Sequence, residues 1–204
     1  MKKKNFLKII YFLAATSMFI LSCTQHKDEI ADTNSPKFHI TESEKLTIPE
    51  AIALPENLPN GNSRVLTFFA IGVQKYKAAE VPGSNPIAFT WAFVAPQADL
   101  YDITNQKVGT HSQGPTWQLS MLDSMYGQSF SPPKSAVSPD QNSVDWLLLM
   151  PKNGKPPTGA FAGVDYLQRI DTRGGKAPLA DPTEATQTIE VPYTAIYRFS
   201  KKAP

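Results

Sequence analysis

The sequence predicts an all-β fold, either an antiparallel β-sandwich or a partly open barrel, with little helix and long proline-rich loops. After Pro49, short runs rich in β-branched and aromatic residues are separated by proline, glycine, asparagine and aspartate, which is the pattern of many short strands. The chain has 18 prolines, and no segment of about 12 residues keeps the apolar period of an amphipathic helix. A length of 204 residues is typical of one domain with short additional segments.

The individual strands are predicted from their apolar patterns. Residues 65–76 begin as an apolar run and end in alternation, and the aromatic residues of 89–93 alternate with small or polar ones, which indicates a half-buried strand. The unbroken apolar run 146–150 predicts a central strand that is covered on both faces. Further strands are predicted on the same grounds at 98–102, 164–170, 188–191 and 193–199.

Two segments of the domain lack a strand pattern. Residues 119–126 are compatible with a turn or two of helix. Residues 127–145 are polar and contain three prolines, so they are predicted to form a long loop. Loops longer than about 12–15 residues inside a compact domain are often binding loops or mobile lids.

The N-terminus is predicted to be a lipoprotein signal peptide over residues 1–22. Four lysines precede an apolar run at 9–21, which is too short for the ~20 residues that span a bilayer but suits a signal peptide. The run ends in Leu21-Ser22-Cys23, which resembles the lipobox of bacterial lipoproteins, where the cysteine receives a diacylglycerol and fatty acids such as palmitate. The predicted partner of Cys23 is therefore the membrane. An ordinary secretory signal with a chance cysteine, or an uncleaved anchor, are the alternatives.

Residues 23–48 are predicted to be the lipidated cysteine and a flexible tether, because they are polar and lack apolar periodicity. A single β domain is predicted over 49–204. Thr24 stands where an aspartate would retain a lipoprotein in the inner membrane, which favours the outer membrane. Residues 27–29 (Lys-Asp-Glu) resemble an acidic signal that places some lipoproteins on the cell surface. Which face of the outer membrane carries the protein is left open.

Charge and cysteine content exclude several classes of partner. The formal net charge is +2, and without residues 1–22 the chain has 16 basic and 18 acidic residues, so no basic stripe for nucleic acid is expected. The lone cysteine cannot form an intramolecular disulfide or a zinc cage by itself. We therefore predict no nucleic-acid partner, no metal and no cofactor.

A series of short motifs runs through the predicted domain. They are Gly72-Val73-Gln74 with Tyr76, Trp91-x-Phe93-x-Ala95-Pro96, Leu100-Tyr101-Asp102, Gly109-x-His111, Gly114-Pro115-Thr116-Trp117, Trp146 to Leu149, Gln168-Arg169 with Thr172, Gly174-Gly175-x-Ala177-Pro178 and Val191-Pro192-Tyr193. In order and spacing they resemble the uncharacterised family called domain of unknown function 3455, whose members resemble secreted proteins of bacteria and fungi. The likeness spans about residues 50–200 and implies the identity of the domain without an activity that could be transferred.

Two departures from the family pattern are informative. Members commonly carry two cysteines at positions that correspond here to Ala78 and a residue near Pro182. Both cysteines are absent here, as expected if they form a disulfide with each other in the family. The resemblance therefore implies that the chain near 78 lies beside the chain near 182. The family's Asp-Gly-Ser turn is also altered to Met121-Leu122-Asp123, which puts a ligand or base role of that acid in doubt.

His111 and Trp117 are the first candidates for a site. His111 is the only histidine of the predicted domain and is surrounded by glycine and proline, so it is expected on a loop where it could act as a general base. Trp117 is expected on the same loop, where an indole could stack on a ligand ring. The alternative for His111 is a structural histidine that hydrogen-bonds its own loop.

Arg169 and Arg173 are the second pair of candidates. With Lys176 they flank the Gly174-Gly175 pair, and their side chains with open backbone N–H groups could hold a carboxylate or phosphate. The alternative is that Arg169 pairs with an acid, Asp165 or Asp171, and that the glycines only form a turn.

Three functions are compatible with these residues. A binding module would use Gln74, Tyr76, His111 and Trp117 to hold a glycan or a small polar ligand. A hydrolase or other enzyme would use His111 as general base and Arg169 to stabilise an anion. A structural envelope protein would use none of them. The binding module is favoured, because the sequence has no paired-carboxylate motif, nucleophile elbow or metal-ligand set.

Overall fold

The computed structural model describes residues 32–55 and 62–202. Within these ranges eight strands form one antiparallel sheet, in which each strand pairs with its neighbours in the chain and the last pairs with the first to close a barrel. This confirms the predicted all-β antiparallel fold as a closed barrel. The strands are β1 (Asn62–Glu80), β2 (Phe89–Tyr101), β3 (Lys107–Ser112), β4 (Thr116–Gln118), β5 (Ser124–Ala136), β6 (Trp146–Pro151), β7 (Tyr166–Gly174) and β8 (Thr188–Lys202).

The barrel interior is filled at one end, which we call the packed end. Successive side chains of a strand point to opposite faces, so in β8 Tyr197 and Phe199 point inward while Ile196 points outward. The ring of Phe161, from a 3-10 helix at Gly159–Phe161, lies 4.9 Å from that of Phe199, and Phe68 approaches Phe199 at 5.8 Å. Leu100, Met125 and Leu167 complete this cluster.

The apolar run of β6 is covered on both faces, as predicted. Leu149 and, in part, Leu147 belong to the interior cluster, whereas Trp146 and Leu148 pack on the outside with Ile170. An eight-strand barrel has room for its own side chains or for one small ligand. The two faces of β6 are apolar for different reasons. The inner face fills the barrel, and the outer face is covered by other parts of the chain.

The outer cover comes from the chain that precedes β1. Helix α1 (Pro36–Ser43) begins at the N-cap Ser35, whose Oγ accepts a hydrogen bond from Phe38 N, and places Ile40 on the outer cluster. A 3-10 helix (Glu50–Ile52) adds Ile52. Arg198 Nη2 donates to Ser43 O at 2.6 Å, and Gln168 Nε2 donates to Ile52 O at 2.8 Å.

The predicted tether is therefore wrong over its C-terminal part. The compact unit spans 31–204 rather than starting at 49, and residues 36–48 pack on the barrel. The sequence pattern failed because α1 has only two buried residues, too few to give a helical apolar period. Cys23, the signal peptide and the first part of the tether lie outside the described residues. No helix within 32–55 or 62–202 is long and apolar enough to cross a membrane.

The predicted loop at 127–145 is also wrong in its first half, because β5 runs to Ala136. The register of β5 against β6 jumps between Ser129 and Lys134, so residues 130–133 bulge out of the ladder. Pro132 and Pro133 lie in this bulge, where the missing N–H groups cost no ladder hydrogen bond. A proline-containing bulge hides a strand from sequence patterns. The helix considered at 119–126 is absent from the described chain, which has a turn there and then β5.

Candidate functional site

A pocket of about 260 Å³ lies in the barrel, lined by residues from all eight of the described strands or the turns beside them. Four of the six predicted ligand-binding residues, Gln74, His111, Trp117 and Arg169, meet in it. The other lining residues include Tyr197, the apolar Phe93, Val94, Pro96, Pro115, Leu147 and Leu149, and the polar Gln113, Gln128 and Ser129.

Strand register brings these side chains together. In β6, β7 and β8, Leu147, Arg169 and Tyr197 lie directly opposite one another across the sheet. His111 in β3 lies opposite Trp117 in β4. Residues far apart in sequence thus become neighbours through antiparallel pairing, on the inward face that the alternation selects.

His111 is a buried strand residue rather than an exposed loop residue, so its predicted placement is wrong. Its Nδ1–H donates to the carbonyl oxygen of Thr116 at 2.9 Å, which leaves the lone pair on Nε2. The imidazole stacks on the indole of Trp117 at 4.4 Å and meets Tyr197 edge-on at 5.0 Å. Burial lowers the pKa of His111 to about 3; the hydrogen bond to Thr116 opposes this shift and the charge of Arg169 adds to it.

Trp117 is also buried, with 1% of its surface exposed, and cannot offer a face to a ligand ring. One neighbour is His111, and a Cβ atom at Gly127 would lie 2.9 Å from the indole, so only glycine fits there. The indole Nε1 is buried and has no hydrogen-bond partner in the described part of the chain. Trp117 therefore lines the pocket as a buried side chain with an unsatisfied donor, and the stacking role expected for it is wrong.

Arg169 is half-buried and pairs with neither Asp165 nor Asp171, so the alternative of an ion pair with one of these acids is wrong. Its Nε and Nη2 donate to the backbone carbonyl of Asp145 at 3.1 and 2.7 Å. Asp165 instead accepts from the backbone of Lys202, and Asp171 lies 3.5 Å from Arg173. Among residues 32–55 and 62–202, no ion pair is formed by Arg169.

The groups around Arg169 are neutral at ordinary pH. Burial raises the pKa values of Tyr193 and Tyr197, and the nearby Arg169 charge only partly opposes the shift. His111, with a pKa of about 3, is neutral as well. The guanidinium charge thus stands in an environment of neutral rings.

Gln74 supplies a second donor without a partner. Its side chain is 2% exposed, and its Nε2 has no hydrogen-bond partner within the described ranges. The backbone of Gly175 packs against it: a Cβ atom there would lie 3.0 Å from Gln74 Cγ, and the φ of +87° is itself a conformation that favours glycine. Gln74 is thus held firmly in place although its amide nitrogen is unsatisfied.

Tyr76 and Arg173, the other two predicted ligand-binding residues, do not line the pocket. The Tyr76 hydroxyl donates to Gly175 O at 2.7 Å, and Arg173 is an exposed side chain beside Asp171. The Gly174-Gly175 backbone does not form the expected anion cradle, because Gly174 N donates to Ser143 Oγ at 2.7 Å. Lys176 does not contribute to such a cradle either, because its Nζ donates to the backbone carbonyl of Gln141.

Sequence reasoning missed Phe93, Val94 and Tyr197. The register of β1 against β2 skips Val94, so two consecutive residues, Phe93 and Val94, line the pocket. Bulges re-aim side chains in this way beside functional sites, and strict alternation cannot reveal them. Tyr197 was detectable in principle, because it alternates with Ala195 and Phe199 in the last strand. Within the described ranges, no three metal-ligating side chains cluster.

A comparison with known protein families shows to which family the chain is related. The family model described as "Protein of unknown function (DUF3455)" matches residues 59–201. The chain belongs to this family. No curated protein and no solved structure matches it.

The DUF3455 family pattern agrees with the neighbourhood of Ala78 in the barrel. Ala78 lies opposite Trp91, whose indole Nε1 donates to Ala180 O at 2.9 Å. The backbone N–H of Ala78 donates to Gln187 O at 2.8 Å. The chain around Pro182 therefore runs close to Ala78, as the implied family disulfide requires. Asp123, in the altered turn, accepts from Ala160 N at 2.7 Å and lies outside the pocket lining.

Proposed function

We propose that this protein is a lipoprotein of the bacterial envelope that is lipid-anchored in the outer membrane, and that its barrel binds a small ligand in the pocket beside Arg169. The anchoring half of the proposal rests on the sequence, in which a basic and then apolar segment ends in Leu21-Ser22-Cys23.

The binding half rests on one observation, the unsatisfied donors in the pocket. Gln74 Nε2 and Trp117 Nε1 are both buried without partners among the described residues, and both side chains line the same cavity as Arg169. A buried donor left unpaired costs roughly 1–3 kcal/mol. A purely structural barrel would gain stability from apolar residues at both positions. A ligand that accepts these hydrogen bonds accounts for their presence.

The geometry supports binding better than catalysis by His111. A general base works best when its pKa lies near the operating pH, and burial lowers the pKa of His111 to about 3. The Nδ1–H is already used on Thr116, so the ring is fixed in one tautomer. His111 offers the pocket a hydrogen-bond acceptor in a fixed position, which suits recognition.

The binding half is tested by screening small molecules for thermal stabilisation of the full chain. Val94→Trp places a large ring at the pocket rim and is expected to abolish stabilisation. Ile71→Trp is the matched control, because Ile71 is equally exposed, at 43% against 41%, on the neighbouring strand and outside the pocket lining. A ligand at 100 times its Kd stabilises by about 2.7 kcal/mol. Compounds that stabilise the unmodified protein, Val94→Trp and Ile71→Trp equally would contradict the proposal. A screen in which no compound stabilises the unmodified protein would contradict it as well.

The anchoring half is tested separately with Cys23→Ser. This variant is expected to lose incorporation of labelled palmitate and to leave the membrane fraction, because one residual signal segment does not replace several acyl chains. Unchanged palmitate labelling and unchanged partitioning would refute lipidation at Cys23.

A further inference from the structure

We infer that the pocket is built for a small organic carboxylate, a ligand with one negative charge and a compact apolar body. This inference rests on the proposed binding function and specifies the ligand class. Three features of the pocket carry it: the charge of its lining, the donors that converge there, and the apolar surface around them.

The charge of the lining favours an anion. Arg169 is the one charged side chain among the described lining residues, and the lining they form contains neither aspartate nor glutamate. Its Nε and Nη2 are oriented by the Asp145 carbonyl, which fixes the plane of the guanidinium beside the cavity. An arginine held in this way presents its remaining N–H groups to a partner of opposite charge.

The donors favour a carboxylate group over a neutral acceptor. Gln74 Nε2 and Trp117 Nε1 are two donor atoms that lack partners in the described ranges, and they add to the guanidinium of Arg169. A carboxylate has two oxygens and about four lone-pair sites, enough to accept from all three side chains. A hydroxyl or carbonyl oxygen would leave some of these donors unsatisfied.

The remaining surface favours an apolar body of limited size. Phe93, Val94, Pro96 and Leu147 line the cavity, and its volume of about 260 Å³ is below the 300–1,000 Å³ usual for drug-sized ligands. A single cation with no second one in the described lining matches a monoanion better than a phosphate dianion. The sugar-stacking role expected for Trp117 is lost by its burial, so a glycan is disfavoured.

The experiment measures the affinities of the full chain, in detergent micelles, for four probes of related shape by isothermal titration calorimetry. Benzoate, benzamide and benzylamine differ in charge on the same ring, and acetate keeps the carboxylate without the ring. Benzoate is expected to bind at least about tenfold more tightly than each of the others, because it alone matches the charge and the apolar surface.

Two variants assign the effect to the pocket. Arg169→Gln is expected to weaken benzoate binding by about tenfold or more and to leave benzamide nearly unchanged. Arg173→Gln, an exposed arginine of the same strand outside the pocket lining, is expected to change neither affinity. If Arg169→Gln does not fold, the order of the four probes with the unmodified protein decides the inference.

The outcomes separate the inference from the proposal beneath it. If benzamide or benzylamine binds as tightly as benzoate, the pocket binds ligands but is not a carboxylate site, and the inference is overturned. If acetate binds as tightly as benzoate, the site recognises an anion without an apolar body, and that part of the inference is wrong. If none of the four probes binds, the inference is overturned, and the thermal screen with Val94→Trp then decides the proposed pocket function separately.

Discussion

The two ends of the barrel interior are built from the same strands and differ in what they contain. At the packed end, Phe68, Phe161 and Phe199 form a close aromatic cluster with Leu100 and Met125. At the pocket end the same inward positions carry Gln74, His111 and Arg169, around a cavity of about 260 Å³. Strand β8 passes from one end to the other within two residues, from Phe199 to Tyr197.

The two ends contribute differently, the packed end to the stability of the fold and the pocket end to the proposed ligand binding. The packed end buries apolar surface and, at about 25 cal/mol per Å², supplies stabilisation. The pocket end keeps two buried donors, Gln74 Nε2 and Trp117 Nε1, that lack partners among the described residues, and a half-buried cation that forms no ion pair there, which is a cost in the free protein. Removal of an apolar side chain at the packed end should therefore lower stability, whereas removal of an unpaired donor at the pocket end should keep or raise it.

The largest effect is expected at the packed end, from Phe199→Ala. Removing a fully buried ring from the contacts with Phe68 and Phe161 is expected to cost about 3–5 kcal/mol, measured by denaturant unfolding. Benzoate affinity of the folded fraction should stay the same. A loss below about 1 kcal/mol would show that the packed end is not the source of stability.

The next effect concerns pH and His111. The unfolded chain binds a proton at this histidine below its ordinary pKa of 6.5, whereas burial lowers the pKa in the folded protein to about 3. The unfolded state thus binds more protons between these values, so stability rises with pH through that window and levels off above it. The slope is about 1.4 kcal/mol per pH unit.

His111→Gln isolates this contribution from that of the carboxylates. The difference in unfolding free energy between the unmodified protein and this variant should shrink as pH falls from 6.5 towards about 3 and should be constant above 6.5. A difference that does not depend on pH would mean that His111 is not buried as a neutral ring.

The third effect has the opposite sign and lies at the pocket end. Gln74→Met keeps the approximate side-chain volume and removes a buried amide nitrogen without a partner in the described chain. Stability is expected to stay equal or rise by about 1–3 kcal/mol, while benzoate affinity falls. A clear loss of stability in thermal unfolding would show that the amide is satisfied in the free protein.

The smallest effect is expected for Arg173→Gln. Its guanidinium is largely exposed and lies 3.5 Å from Asp171, and exposed ion pairs contribute roughly 0–1 kcal/mol. Unfolding free energy should change within about ±0.5 kcal/mol. A larger loss would show that Arg173 contributes to stability in spite of its exposure, and that burial does not separate its role from that of Arg169.

The contrast between the two ends also explains what could be predicted from the sequence. Alternation and apolar runs identified the antiparallel β fold, and Leu147 to Leu149 identified a strand covered on both faces. Residue type identified Gln74, His111, Trp117 and Arg169, which do line one pocket. Type alone does not give burial, so His111 and Trp117 were placed on a loop.

Features that depend on register could not be predicted from the sequence. The bulge at Val94 and the bulge that contains Pro132 break the alternation on which strand prediction relies. The partner of Arg169 is the backbone carbonyl of Asp145, which no residue pattern encodes. Helix α1 is amphipathic too weakly to be recognised, and its docking depends on Arg198, 155 residues away from Ser43.

The most direct test of the pocket end uses the three tryptophans of the chain as internal reporters. In the full chain with ¹⁵N-labelled indoles, NMR follows each Nε1–H while benzoate is added. The Trp117 signal is expected to shift downfield as its unpaired N–H donates to the carboxylate. The Trp91 indole already donates to Ala180 O, and Trp146 lies on the outer face, so both signals should stay in place. A shift of Trp146 or Trp91 with Trp117 unmoved would contradict the account.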